Sequence, residues 1–143
     1  MGKIRWRATR WLENSGMQDE MKQRLIEAVK HHPAILNAAF TGSQARPTGA
    51  DHFSDLDVLL VTRDVKAVRD VRSWLPGQGH VLSCAFHLSN YCTVLFDDFH
   101  RMDLAIFRAA DPPSLWVIHD YQIIKGDEAF EAQLAAAARD GGH

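Results

Sequence analysis

Asp55 and Asp57 stand one residue apart at the entry to the apolar run SDLDVLLV, and Asp103 sits alone inside a second apolar stretch, RMDLAIF. Residues i and i+2 of a strand project to the same face about 6.5 Å apart. Asp55, Asp57 and Leu59 are therefore expected on one face and Leu56, Val58 and Leu60 on the other, with one face buried and the other carrying carboxylates. Paired carboxylates suit a hard cation such as Mg²⁺ (or Mn²⁺), which keeps several waters and binds through one or two carboxylates plus substrate phosphates. Two such ions about 4 Å apart clamp the attacking and leaving oxygens of an in-line phosphoryl displacement. Asp is disfavoured in strands, so two merely solvated acids on one strand face are the weaker explanation.

Upstream, Thr41-Gly42-Ser43 closes a short apolar run and opens a polar loop. Glycine lets the backbone approach a ligand closely, and the Ser43 hydroxyl and neighbouring amides can donate to phosphate oxygens. Arg46 in the same loop can neutralise phosphate charge or be solvated, and His52 reads as an exposed loop histidine. The loop is not a Walker motif, because Gly49 is followed by Ala50-Asp51, and neither G-x-G-x-x-G nor G-x-S-x-G occurs. In RMDLAIF, alternation places Met102, Leu104 and Ile106 on one face and Arg101, Asp103, Ala105 and Phe107 on the other. An acid there serves either as metal ligand and general base or as a structural partner of Arg101, since an unpaired buried charge is costly.

Gly42-Ser43, eleven intervening residues and then Asp55-Leu56-Asp57 resembles the nucleotidyltransferase superfamily, the DNA polymerase β-like proteins. Within it, GSQARPTGADHFSDLDVLLV is most similar to the aminoglycoside (streptomycin-type) adenylyltransferases, and Asp103 matches that family's third acidic strand residue. The resemblance runs from about Met17 to Ile124, and it departs at Gln44, where the family often has Arg. It implies an α/β (α+β) fold: a single nucleotidyltransferase domain with a mixed, mostly antiparallel sheet and flanking helices. It also implies transfer of AMP from ATP to a hydroxyl acceptor, an aminoglycoside-like small molecule being one candidate. Gly42 and Ser43, with Arg46, would hold the triphosphate. Asp55 and Asp57 would bind the metal, and Asp103 would help hold a second ion and take the acceptor proton. The alternative is a minimal antitoxin-type nucleotidyltransferase that binds or nucleotidylates a partner protein.

The elements that must position these residues can be read from periodicity. Met17, Met21, Leu25, Ala28 and Val29 form a helical stripe after a Ser15/Gln18 capping-box pattern, and Pro33 stops it. Ala34 to Phe40 reads as a buried strand. Asp64 to Leu75 reads as one helix with Val65, Val68, Val71 and Leu75 inward, and a strand-helix-strand order implies a crossover. Val81 to Leu88 and Tyr91 to Phe96 are expected to form a hairpin around Ser89-Asn90, followed by a strand from His100 to Phe107. Ser114 to Asp120 is ambiguous, Tyr121 to Lys125 is a short strand, and Asp127 to Arg139 is a helix.

At 143 residues the length fits one domain, read as a basic segment over 1–14 and a nucleotidyltransferase domain over 15–143. A composition 46% hydrophobic and 24% charged excludes wholesale disorder, and a net charge of −2 provides no global field to recruit nucleic acid or membrane. The segment MGKIRWRATRWL is basic and aromatic, and its expected role is packing on the domain rather than docking on an anionic surface. With Leu88 and Tyr91 flanking the hairpin turn, Cys84 would face Leu95 and Cys92 would face His87, which leaves both thiols free in a reducing cytoplasm. No run approaches the roughly 20 apolar residues of a membrane span. The histidines show no zinc spacing. An open carboxylate face must exclude water to work, so a cover is expected from a second copy, as a homo-oligomer, or from a helical partner protein. Trp6, Trp11, Trp116 and Tyr121 are the expected exposed contacts.

Overall fold

The run LDVLLVT carries apolar residues on both of its alternating faces, which is the signature of a strand covered on both sides. In the computed structural model, which describes residues 15–41, 56–88, 90–97, 100–116, 118 and 120–141, it forms β2, Leu56–Thr62, in the interior of a six-stranded sheet. The other elements are α1 (Ser15–His31), β1 (Ile35–Thr41), α2 (Val65–Arg69), β3 (Val81–His87), β4 (Tyr91–Phe96), β5 (Arg101–Arg108), β6 (Tyr121–Lys125) and α3 (Glu128–Gly141). Gly42, Ser43, Arg46, His52 and Asp55 lie outside the described residues, as does the basic segment 1–14 with Trp6 and Trp11.

The strand order is β3-β4-β5-β2-β1-β6. Among the described strands only β2 and β5 pair in parallel; every other neighbouring pair is antiparallel. After β2 the chain crosses through α2 to the sheet edge and returns as β3, β4 and β5, so the expected crossover ends on β5 and not on the strand next in sequence. Parallel neighbours require such a long connection, whereas hairpins close the antiparallel pairs.

Two cores lie on opposite faces. On the first, Met21, Leu25 and Val29, one stripe of α1, cover Phe40, Val58, Leu60, Leu104 and Ile106, all no more than 2% exposed. On the second, Phe130 and Leu134 of α3 join Trp116 and Ile118 over Ala39, Leu59 and Val61. The carboxylate-bearing face is thus itself buried over much of its length, contrary to the expectation of one buried face and one open one. The reason lies far along the chain, where the Phe130 ring meets the Trp116 ring edge-on at 5.7 Å. Trp116 is 6% exposed and Tyr121 is half-buried, so Trp116 is a core residue and not the exposed contact expected of it.

The helix expected over Asp64 to Leu75 is broken. Asp64 caps α2 by accepting from the Ala67 amide at 3.3 Å, but the helix ends at Arg69 and a 3₁₀ turn, Val71–Ser73, follows. Side chains take the carbonyls a longer helix would use: the Trp74 indole donates to Val68 O at 3.0 Å and the Ser73 hydroxyl to Asp70 O at 2.6 Å. Such local bonds compete with helix propagation. Val68, Val71 and Leu75 are nonetheless buried as their spacing predicts.

The β3–β4 hairpin also differs by one position. His87 pairs with Tyr91 across a three-residue turn in which Leu88 adopts a left-handed φ of 61°, so Cys84 faces Val94 and Cys92 faces Phe86. The expected register would have set inward residues against outward ones, because a one-residue slip flips every side chain. The observed register puts Cys84, Phe86, Cys92 and Val94 together on the first core, and both cysteines are free.

Candidate active site

β2 and β5 are in register over their whole length, which places Asp57 directly opposite Asp103. Following the pairings outward gives one row across all six strands: Ala85, Thr93, Asp103, Asp57, Thr41 and Tyr121. Directly paired residues project to the same side of a sheet, and neighbouring strands lie about 4.8 Å apart. Two carboxylates from sequence positions far apart therefore meet on one face, at the N-terminal end of β2. The next row inward is His87, Tyr91, Ala105, Leu59, Ala39 and Ile123, apolar at its centre.

Asp103 is 7% exposed and is held on both oxygens. The Thr93 hydroxyl donates to Oδ1 at 2.8 Å, and Arg101 Nε lies 3.4 Å from Oδ2. The structural pairing with Arg101 is thus present, through a long contact from a guanidinium that is half exposed. The Tyr91 phenol is pushed above its ordinary pKa by burial and then by the Asp103 and Asp57 carboxylates, with Arg101 opposing. Both carboxylates thus act on the space that Tyr91 occupies.

That space is a cleft of about 650 Å³. Asp57 and Asp103 lie in its wall with Thr41 and Asn90, and the remaining described lining is Val58, Leu59, Leu88, Tyr91, Ala105, Phe107, Leu115, Trp116 and Ile118. Among the described residues no three acids, histidines or cysteines converge as a metal cage. Asp55, the expected partner of Asp57 in the carboxylate pair, lies outside them, as do Gly42, Ser43 and Arg46. Thr93, Tyr91 and His87 were not singled out by sequence; they reach the site through the β3–β4–β5 register, and the only trace in the sequence is a polar alternation in YCTV.

A family model described as streptomycin adenylyltransferase matches residues 17–115, a span that includes β1 to β5 and both described carboxylates. The chain belongs to this nucleotidyltransferase family. A search of the curated proteins finds no match. Among solved structures, the chain is similar to the STING-associated CdnE c-di-GMP synthase from Capnocytophaga granulosa, with 12% identity and a TM-score of 0.43. The match covers 86% of this chain and 44% of that one, so this family member spans under half the length of that synthase.

Proposed function

We propose that the protein transfers AMP from ATP to a hydroxyl acceptor with the help of Mg²⁺ or Mn²⁺. The observation that carries this reading is the direct pairing of Asp57 with Asp103 in the wall of the cleft. The donor chemistry fits the ion: carboxylate oxygens on a rigid pair of strands suit hard cations that share their coordination with water and phosphate. Asp55, Asp57 and Asp103 would hold it. A bound divalent ion supplies charge neutralisation at the triphosphate and at the oxygens gaining charge.

The chain's own groups position the reactants. The Gly42-Ser43 turn would donate to the β- and γ-phosphates, with Arg46 offsetting their charge. The acceptor oxygen attacks the α-phosphorus in line, the bond to the β-bridging oxygen breaks, and pyrophosphate leaves. The acceptor proton passes to Asp103, whose near-complete burial keeps competing water away. Phosphoryl-type transfer needs little covalent help, so alignment and electrostatics carry most of the acceleration.

The described cleft walls favour an acceptor with an apolar body. A polycationic aminoglycoside would be held by carboxylates, and among the described lining residues only Asp57 and Asp103 are acidic. The reading in which the acceptor is a partner protein is supported by the cleft rim, where Leu88 is 85% and Leu115 55% exposed. A second copy of the chain or a helical partner would cover both. No described helix is long and apolar enough to cross a membrane.

The test is incubation with ATP and Mg²⁺, followed by mass spectrometry of the protein, copurified proteins and a panel of hydroxyl compounds that includes aminoglycosides. Covalent addition of AMP to any of them, lost in Asp103→Asn, supports the proposal. Release of inorganic phosphate from ATP without pyrophosphate or any adduct contradicts it.

A further inference from the structure

We propose that Thr93 and His87 are positioning residues that hold Asp103 in its metal-binding orientation. This inference rests on the role proposed for Asp103.

Two hydrogen bonds in series across three strands end on one carboxylate oxygen of Asp103. Thr93 on β4 is the direct partner of Asp103 on β5, and its hydroxyl donates to Oδ1 at 2.8 Å. His87, in the last position of β3, places Nε2 3.0 Å from the same hydroxyl. A hydroxyl carries a single proton. Because that proton is given to Asp103, the Thr93 oxygen accepts from His87, and Nε2 is the protonated ring nitrogen in this arrangement. The Thr93 rotor is then fixed from both sides, and through it the χ2 angle of Asp103.

The two oxygens of Asp103 differ accordingly. Oδ1 belongs to a short chain of bonds between neighbouring strands. Oδ2 has the longer 3.4 Å contact from Arg101, whose side chain is 51% exposed. Oδ1 is therefore the anchored oxygen and Oδ2 the exchangeable one, which Arg101 neutralises until a cation takes its place. Hydrogen bonds to ligating carboxylates tune metal sites in this way, and their loss typically weakens metal affinity by about tenfold to a hundredfold. The bland role for Thr93, satisfying a buried acid for stability alone, predicts a loss of melting temperature and no change in metal affinity among variants that remain folded.

The experiment titrates Mn²⁺, read by electron paramagnetic resonance, into folded protein saturated with the Mn²⁺ complex of a non-hydrolysable ATP analogue, and measures the second ion. Thr93→Val keeps the branched shape suited to a strand and removes the donor; the expected result is a weakening of about tenfold or more, restored by Thr93→Ser. His87→Ala, an exposed change that leaves the core intact, should weaken the same ion by a smaller factor, and His87→Gln, which retains an N–H donor, should recover it. Unchanged affinity in Thr93→Val and His87→Ala, with loss in Asp103→Asn, overturns the positioning role and leaves the metal site standing. Unchanged affinity in Asp103→Asn overturns both. If Thr93→Val fails to fold, His87→Ala against His87→Gln decides the matter alone.

Discussion

Asp57 and Asp103 face each other across the parallel pair β2 and β5, so a carboxylate pair is built on two neighbouring strands from positions 46 residues apart. Rigid strands hold a constellation more tightly than loops do. The same pairing gives the cleft its polar edge, since the row behind it is apolar at its centre.

The chemistry of the cleft rim should be separable from the fold. Leu88→Asp and Leu115→Asp replace exposed side chains, so each should change stability by no more than about 0.5 kcal/mol. Nucleotide affinity should be retained, while adduct formation on the acceptor falls. Calorimetry with MgATP beside mass-spectrometric adduct yield makes the comparison, and loss of ATP binding in both variants would show that the rim holds the nucleobase.

Among the described residues Gly77 and Gly126 have positive φ, and their substitution should differ in cost. A Cβ at Gly126 (φ 153°) would lie 2.5 Å from Phe130 Cδ2 and 3.1 Å from Asn37 Oδ1, whereas one at Gly77 (φ 77°) meets chiefly Met21 Cε at 2.8 Å. A ring locked in the second core cannot yield as the end of a methionine can. Gly126→Ala should destabilise by about 2–4 kcal/mol and Gly77→Ala by less, about 1–2 kcal/mol, in urea unfolding.

Burial pushes the Cys92 thiol up to about 11 from an ordinary 9, with Cys84 and Asp103 adding to the shift and Arg69 opposing it. A thiol whose folded pKa is raised is favoured in its neutral form, so its contribution is complete below about 9 and is lost as pH rises from there towards about 11. Stability should therefore fall across that alkaline window, and less steeply in Cys92→Ala once its own cavity cost is subtracted. At pH 8 a thiol reagent should label Cys84, which is partly exposed, well before Cys92, which is fully buried. Equal labelling rates in the folded protein would contradict the packing of β4.

Much of this arrangement was legible beforehand because alternation in LDVLLVT and RMDLAIF assigns each acid to a face, and the structure agrees for Asp57 and Asp103. The span of β6, Tyr121–Lys125, was readable as a short strand ending before Gly126. What escaped depends on bonds between residues that periodicity does not connect. The break after Arg69 is made by the Trp74 indole and the Ser73 hydroxyl. The hairpin register turns on Leu88 accepting a left-handed φ, and with it goes the approach of Thr93 and His87 to Asp103. The burial of Trp116 and of the second face needs Phe130, contributed by the last helix. The phosphate-loop residues Gly42, Ser43 and Arg46 and the carboxylate of Asp55 remain proposals drawn from their spacing and from the family resemblance.

The strand carboxylates are proposed to bind ATP through a divalent ion. Isothermal titration of ATP with and without Mn²⁺ tests it in wild type, Asp57→Asn and Asp55→Asn plus Asp57→Asn, each first shown to be folded by circular dichroism. Mn²⁺ is expected to tighten ATP binding by about tenfold or more in wild type, Asp57→Asn to lose most of this gain, and the double variant to lose all of it. Equal ATP affinity, with equal enhancement by Mn²⁺, in wild type and the double variant would contradict it.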